Sequence, residues 1–328
     1  MGNWSLVGAM ALAVVTAPPA EAQAVERDPR GVFATGELEL LWSGGFFLEG
    51  PAMGPDGFLY FSDITATASS GMQAGHIWRF DPATGTATIF RSPSGQSNGL
   101  LFDLEDRLVA ALGADFGGRA VVRTDMTSGR SVIVAGLYEG RRLNSPNDLT
   151  IDEQGRIYFT DPRYVGQEPM DQPVMGVYRI DPDGSLTRVV DQAGRPNGIL
   201  VSPDQTTLYV SSVETPGWSG DNALLAFDLG RDGSVRNGRV LVDMGNDLGP
   251  DGMAIDVNGN IYATRPASAP GVYVYSPEGE ELAFVRTPEL PTNATFGRGT
   301  YAHTLFITAG PSLFSIRTSV EGHHPPRR

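Results

Sequence analysis

The sequence predicts an all-β fold, a six-bladed β-propeller of four-stranded antiparallel blades. A repeat of about 50 residues, short β-branched and aromatic runs, and dense turn chemistry carry that reading. Six times, a Gly-Pro, Asn-Gly, Asn-Asp, Asp-Gly or Asn-Ala pair stands before an apolar segment. The copies open at Glu49, Asn98, Asn147, Asn197, Asp251 and Asn293, so the successive differences are 49, 49, 50, 54 and 42 residues. Such a period belongs to propeller blades or solenoid arrays.

Strands rather than helices fill each unit. Phe58-Leu59-Tyr60-Phe61, Arg156-Ile157-Tyr158-Phe159-Thr160 and Thr207-Leu208-Tyr209-Val210 lie between turn residues, and after the first residues no long stretch holds a 3.6-residue apolar stripe. Pro55-Asp56-Gly57, Asp181-Pro182-Asp183-Gly184, Asn258-Gly259 and Pro277-Glu278-Gly279 supply the proline φ and positive glycine φ that tight hairpins need. Radial repetition of four-stranded blades leaves only short, protected sheet edges. Solenoid repeats lack this many hairpin turns.

The blades form one expected domain, residues 23–322, with no interior linker. Residues 323–328 read as a disordered tail. The start is different in kind: Leu6 to Ala17 is an apolar core of signal-peptide length, followed by the small-x-small pattern Ala20-Glu21-Ala22. The expectation is a cleaved signal over residues 1–22 and an exported chain, periplasmic or secreted. The run is too short for a stable transmembrane helix, so the mature chain has no expected membrane span. With no cysteine, a metal site here cannot use thiolates.

Formal net charge is −14, and removing residues 1–22 takes away only Glu21, leaving −13. Such a surface repels nucleic acid and anionic membrane. Clustered carboxylates instead favour cations. Nothing in the sequence fixes an oligomeric state.

In a propeller the innermost strands line the central channel, so equivalent strand starts converge in a ring at one mouth. That ring reads Glu49, Asn98, Asn147, Asn197, Asp251 and Asn293: two carboxylates and four carboxamides. Turn preference explains any single Asn or Asp. It does not explain Glu49, or six oxygen-bearing side chains at one register. Hard oxygen donors favour one divalent cation, Ca²⁺ or Mg²⁺, over softer metals.

The stretches "LEGPAMGPDGFLYFSD", "YEGRRLNSPNDLTIDEQGRIYFTDPRY", "GRPNGILVSPDQTTLYVSS", "GPDGMAIDVNGNIYAT" and "TLFITAGPSLFSI" resemble the gluconolactonase and regucalcin (senescence marker protein) family of six-bladed propellers. The resemblance covers nearly the whole chain after the leader and is nearer the bacterial gluconolactonase branch. It implies that Glu49, Asn147, Asn197 and Asp251 are divalent-metal ligands, with Ca²⁺ first and Mg²⁺, Mn²⁺ or Zn²⁺ as alternatives. It also implies that Asp251 is the general base of a sugar-lactone hydrolase, with other lactones or organophosphates as alternative substrates. A cation would polarise the lactone carbonyl while Asp251 takes a proton from the attacking water.

Where the regucalcin branch has a substrate-contacting Arg two residues before the third-blade Asn, this chain has Ser145. Asn98 and Arg195 are the substrate-binding candidates, and Arg163 is a weaker one. His303 reads as a structural residue near the same mouth, and Asp63 and Asp161 as caps of blade turns. Phe46, Phe47, Tyr164 and Trp218 are candidate pocket walls. No G-x-S-x-G elbow, P-loop or H-E-x-x-H is present. The competing reading is a non-enzymatic propeller whose cation only pins the blades and whose surface binds a ligand or partner.

Overall fold

Six antiparallel sheets surround a central channel in the computed structural model, which describes residues 24–65, 75–213 and 222–327. Blade 1 runs through strands Leu48–Met53, Leu59–Asp63, His76–Asp81 and Thr86–Arg91. The innermost strands of blades 2 to 6 are Ser97–Phe102, Leu149–Ile151, Pro196–Val201, Met253–Ile255 and Pro291–Phe296. Glu39–Ser43, from before the first blade, becomes the outermost strand of blade 6 and closes the circle. The four-strand rule has one exception: Val25–Arg27 adds a fifth strand to the outer edge of blade 5.

The recurrent D-x-x-G-x-I-Y pattern has a local cause. Asp152 Oδ1 accepts the backbone N–H groups of Gln154 and Arg156 in the turn between the first two strands of blade 3. Its Oδ2 accepts the Tyr158 hydroxyl at 3.2 Å. Asp256 repeats this with Asn258, Asn260 and Tyr262 in blade 5. The aspartate fixes the hairpin and satisfies the tyrosine's polar end, so the ring can enter the core without an orphaned hydroxyl.

Core packing lies between adjacent blades. Tyr60 of blade 1 meets Phe102 of blade 2 at a ring separation of 5.3 Å, and Tyr262 of blade 5 meets Phe296 of blade 6 at 5.0 Å, both edge-on. Each such aromatic pair adds roughly 0.5–1.5 kcal/mol beyond area burial.

Two residues of the expected disordered tail, His323 and His324, are hydrogen-bonded to the blades. Gly322 bridges Asp256, His323 donates its backbone N–H to Ile255, and the His324 ring nitrogen Nε2 lies 3.1 Å from the Gly297 carbonyl. This strap lies across blades 5 and 6, and both histidines line the channel at the mouth opposite the ring. Residues 1–22, the expected signal, lie outside the described residues. Among the described residues no helix is long and apolar enough to cross a membrane.

Candidate active site

Four of the ring residues, Glu49, Asn98, Asn197 and Asn293, stand at irregular register, whereas Asn147 and Asp251 precede inner strands that pair regularly. Pairing of the inner strand with its neighbour shifts between Glu49 and Ala52, between Ser97 and Leu100, between Pro196 and Ile199, and between Pro291 and Asn293. Such bulges re-aim side chains that a regular ladder would alternate between faces. The channel is so narrow there that glycine follows the ring residue in four of the six blades. A Cβ on Gly50 would stand 2.1 Å from the Asn98 carbonyl, and one on Gly198 2.4 Å from the Asp251 carbonyl. This close approach is the reason for the Asn-Gly and Asp-Gly pairs.

A second register, not singled out from the sequence, locks the ring. Hydroxyls on the second strands reach the inner strand of the next blade: Thr160 donates to the Asn197 carbonyl at 2.7 Å and Thr264 to the Thr292 carbonyl at 2.8 Å. Ser62 donates to the Ser97 hydroxyl, and Ser211 to the Pro250 carbonyl just before the inner strand of blade 5. The Ser/Thr preceding the end of "FSD", "FTD" and "YVSS" was its visible trace.

Five of the six ring residues, Glu49, Asn98, Asn147, Asn197 and Asp251, line one cavity of about 360 Å³. Asn293 does not; its side chain stands behind the ring and donates to Glu49 Oε2 at 3.2 Å. Asn197 Nδ2 donates to Asp251 Oδ1 at 2.6 Å. Among the described residues no ion pair involves Glu49 or Asp251. Burial pushes the Asp251 carboxyl up to about 7, against the hydrogen bond from Asn197. Glu49 is held well above its ordinary range, first by burial and then by the charges of Asp251 and Asp148.

Asp148 is the acidic residue that sequence reading passed over. Burial raises its carboxyl to about 7. Its Oδ1 accepts the Leu149 N–H at 2.9 Å, and its side chain faces the cavity of the opposite mouth. The signal was a break in pattern: the register after the ring residue reads Gly50, Gly99, Asp148, Gly198, Gly252 and Ala294, with one carboxylate among small residues.

Two converging, desolvated carboxylates without an ion-pair partner, together with amide oxygens, suit a divalent cation, whose charge would offset the cost of burying both carboxylates. The Asn98 Oδ1, buried without a partner, is a further hard donor aimed at this cavity.

The other candidates divide. Arg195 does not line the cavity; its guanidinium stacks 5.1 Å from the Tyr164 ring centroid, behind the wall. Arg163 binds the Asn144 and Glu168 carbonyls and holds a loop. His303 precedes Thr304–Ala309 at the end where Leu305 pairs with Phe296, far from the ring end of that blade. Asp63 accepts the backbone N–H groups of Phe46 and Phe47, and Asp161 those of Asn144 and Ser145, so both tie down the loop entering an inner strand. Phe46, Phe47 and Tyr164 do wall the cavity. Trp218 lies outside the described residues.

Known proteins resemble this chain over most of its length. A gluconolactonase from Zymomonas mobilis is 32% identical over 314 residues, covering 87% of this chain and 82% of the relative. The diisopropyl-fluorophosphatase of Loligo vulgaris is 27% identical over 280 residues, covering 79% and 84%. The solved structure of a gluconolactonase from Xanthomonas campestris superposes with a TM-score of 0.77 at 31% identity, covering 92% of this chain and 96% of that one. Residues 47–310 match the SMP-30/Gluconolactonase/LRE-like region, and the chain belongs to that family.

Proposed function

We propose that this protein is a cation-dependent hydrolase that opens a lactone ring, with Asp251 as general base. The observation that carries this reading is the convergence of Glu49 and Asp251, both buried and raised, with Asn98, Asn147 and Asn197 in one cavity. The names of the relatives support the reaction class. Sugar lactones are the reference substrates because the gluconolactonases are the relatives that match at 31–32% identity.

Glu49, Asn147, Asn197 and Asp251 would hold the cation; Ca²⁺ suits the all-oxygen set best, with Mg²⁺, Mn²⁺ and Zn²⁺ as alternatives. When bound, it supplies Lewis acidity toward the lactone carbonyl and balances the two carboxylates. Asp251 takes a proton from water as the water oxygen bonds to the carbonyl carbon. The ring C–O bond then breaks, and the same carboxyl returns the proton to the departing alkoxide. Asn197 holds Asp251 oriented through its 2.6 Å hydrogen bond.

Hydrolysis of glucono-δ-lactone by metal-stripped protein, before and after each cation is restored, tests this; no turnover with any cation would move weight to phosphotriesters, which the fluorophosphatase likeness favours as the second reading. Export belongs to the same proposal, resting on the Leu6 to Ala17 segment and the Ala20-Glu21-Ala22 pattern. N-terminal sequencing of protein from a periplasmic fraction checks it: a start near Gln23 is expected.

A further inference from the structure

We infer that the cavity selects lactones bearing an apolar substituent over polyhydroxylated sugar lactones. This rests on the lactonase reading and assigns the substrate class of that site. The cavity is divided by polarity. Its floor is the oxygen ring, with Gln96 and Ser145 beside it; above that stand Phe46, Phe47, Ile64, Val165, Val213 and Pro266.

Among the described lining residues, Glu49 and Asp251 are the only charged ones. The two candidate arginines do not line the cavity: Arg163 is bound to backbone carbonyls, and Arg195 stacks on the Tyr164 ring. A hydroxyl directed at Phe46, Phe47, Ile64, Val165, Val213 or Pro266 would lose its water without gaining a partner there, whereas an alkyl or aryl substituent would be removed from water. Sites that reject a hydroxyl do so weakly unless the pocket is tight, so a preference of tens of fold is expected rather than absolute exclusion.

The apolar rim is built, not incidental. Phe46, Phe47 and Val165 are exposed at the mouth, and Phe116 stands 67% exposed on the loop that follows the lining residues Gly113 and Ala114. Phe116 has a φ of +62°, costly for a bulky residue. The Glu168 carboxylate pins that conformation by accepting the backbone N–H groups of Asp115 and Phe116. The Asp63 carboxylate fixes Phe46 and Phe47 in the same way. Two carboxylates thus fix the backbone that carries exposed aromatic residues, Phe46 and Phe47 on the cavity and Phe116 on the loop after Ala114.

The test separates binding from turnover. Titration calorimetry with Ca²⁺-saturated protein compares two uncleavable analogues: a δ-lactam carrying a butyl chain and glucono-δ-lactam. The alkyl lactam is expected to bind at least tenfold tighter, which is about 1.4 kcal/mol. Phe47→Ser should narrow that ratio several-fold, while Ile89→Ser, on an outer strand of blade 1, leaves it unchanged. Equal or tighter binding of glucono-δ-lactam, or a ratio indifferent to Phe47→Ser, would overturn the inference. Rates on δ-nonanolactone and glucono-δ-lactone then test the reaction itself. Faster sugar-lactone opening together with tighter sugar-lactam binding rejects the apolar preference and leaves the lactonase reading standing. Tight alkyl-lactam binding without hydrolysis of either lactone supports the apolar site and rejects lactonase action.

Discussion

Asn197 donates its side-chain N–H to Asp251 at 2.6 Å, joining the ring positions of blades 4 and 5. That bond opposes the effect of burial, which holds the Asp251 carboxyl near 7. The base is therefore poised by two opposed influences.

Replacing Asn197 by Leu removes the bond that lowers the Asp251 carboxyl. The acid limb of kcat/KM against pH should move to higher pH, and cation affinity should fall as well. A pH profile at saturating cation checks this; an unmoved limb would detach Asn197 from Asp251.

Stability without a cation should fall as pH rises from about 4 to about 7. Asp251 and Asp148 have folded values near 7, above the ordinary 3.8, so the folded chain binds more protons than the unfolded chain across that window. Above it the loss is complete, and below it the contribution is recovered. Thermal unfolding in chelator from pH 4.5 to 8 should show the decline, and Ca²⁺ should reverse it most strongly at the alkaline end.

Gly198→Ala tests the narrow channel. The new methyl would meet the Asp251 carbonyl at 2.4 Å, in backbone that cannot yield cheaply. A loss of about 1–3 kcal/mol in denaturant unfolding is expected, with a larger proportional loss of turnover. Gly36→Ala, with nothing within 4 Å, is the control and should change neither.

Asp161→Ala leaves two buried backbone N–H groups, of Asn144 and Ser145, without acceptors. The expected cost is about 3 kcal/mol. Because that segment leads into Asn147, weaker cation binding should accompany it, measurable by calorimetry.

Much of this architecture was legible in the residues. The 49- to 54-residue spacing from Glu49 through Asp251 announced five blade starts, and those five residues meet in one cavity. Asn293 shares the register yet turns behind Glu49, because register fixes a residue's height along the channel and not which side of the ring its side chain takes. Arg195 looked available beside Pro196-Asn197, but stacking on Tyr164 depends on a neighbouring blade that sequence cannot place. The tail's contacts were hidden for a related reason: a backbone bond from His323 to blade 5 and the His324 ring nitrogen at the Gly297 carbonyl depend on neighbours that sequence cannot place. Asp148 was visible as a break in a glycine column, though its burial was not.

The most direct test of the central claim is the rate of glucono-δ-lactone and δ-nonanolactone hydrolysis by metal-stripped protein, with and without restored Ca²⁺, beside Asp251→Asn. The account predicts negligible turnover when stripped, recovery with Ca²⁺ on at least one lactone, and a loss of roughly 10²–10⁴-fold in the folded variant, the range for losing a general base. Full activity in the stripped protein, or an unimpaired Asp251→Asn, would contradict it.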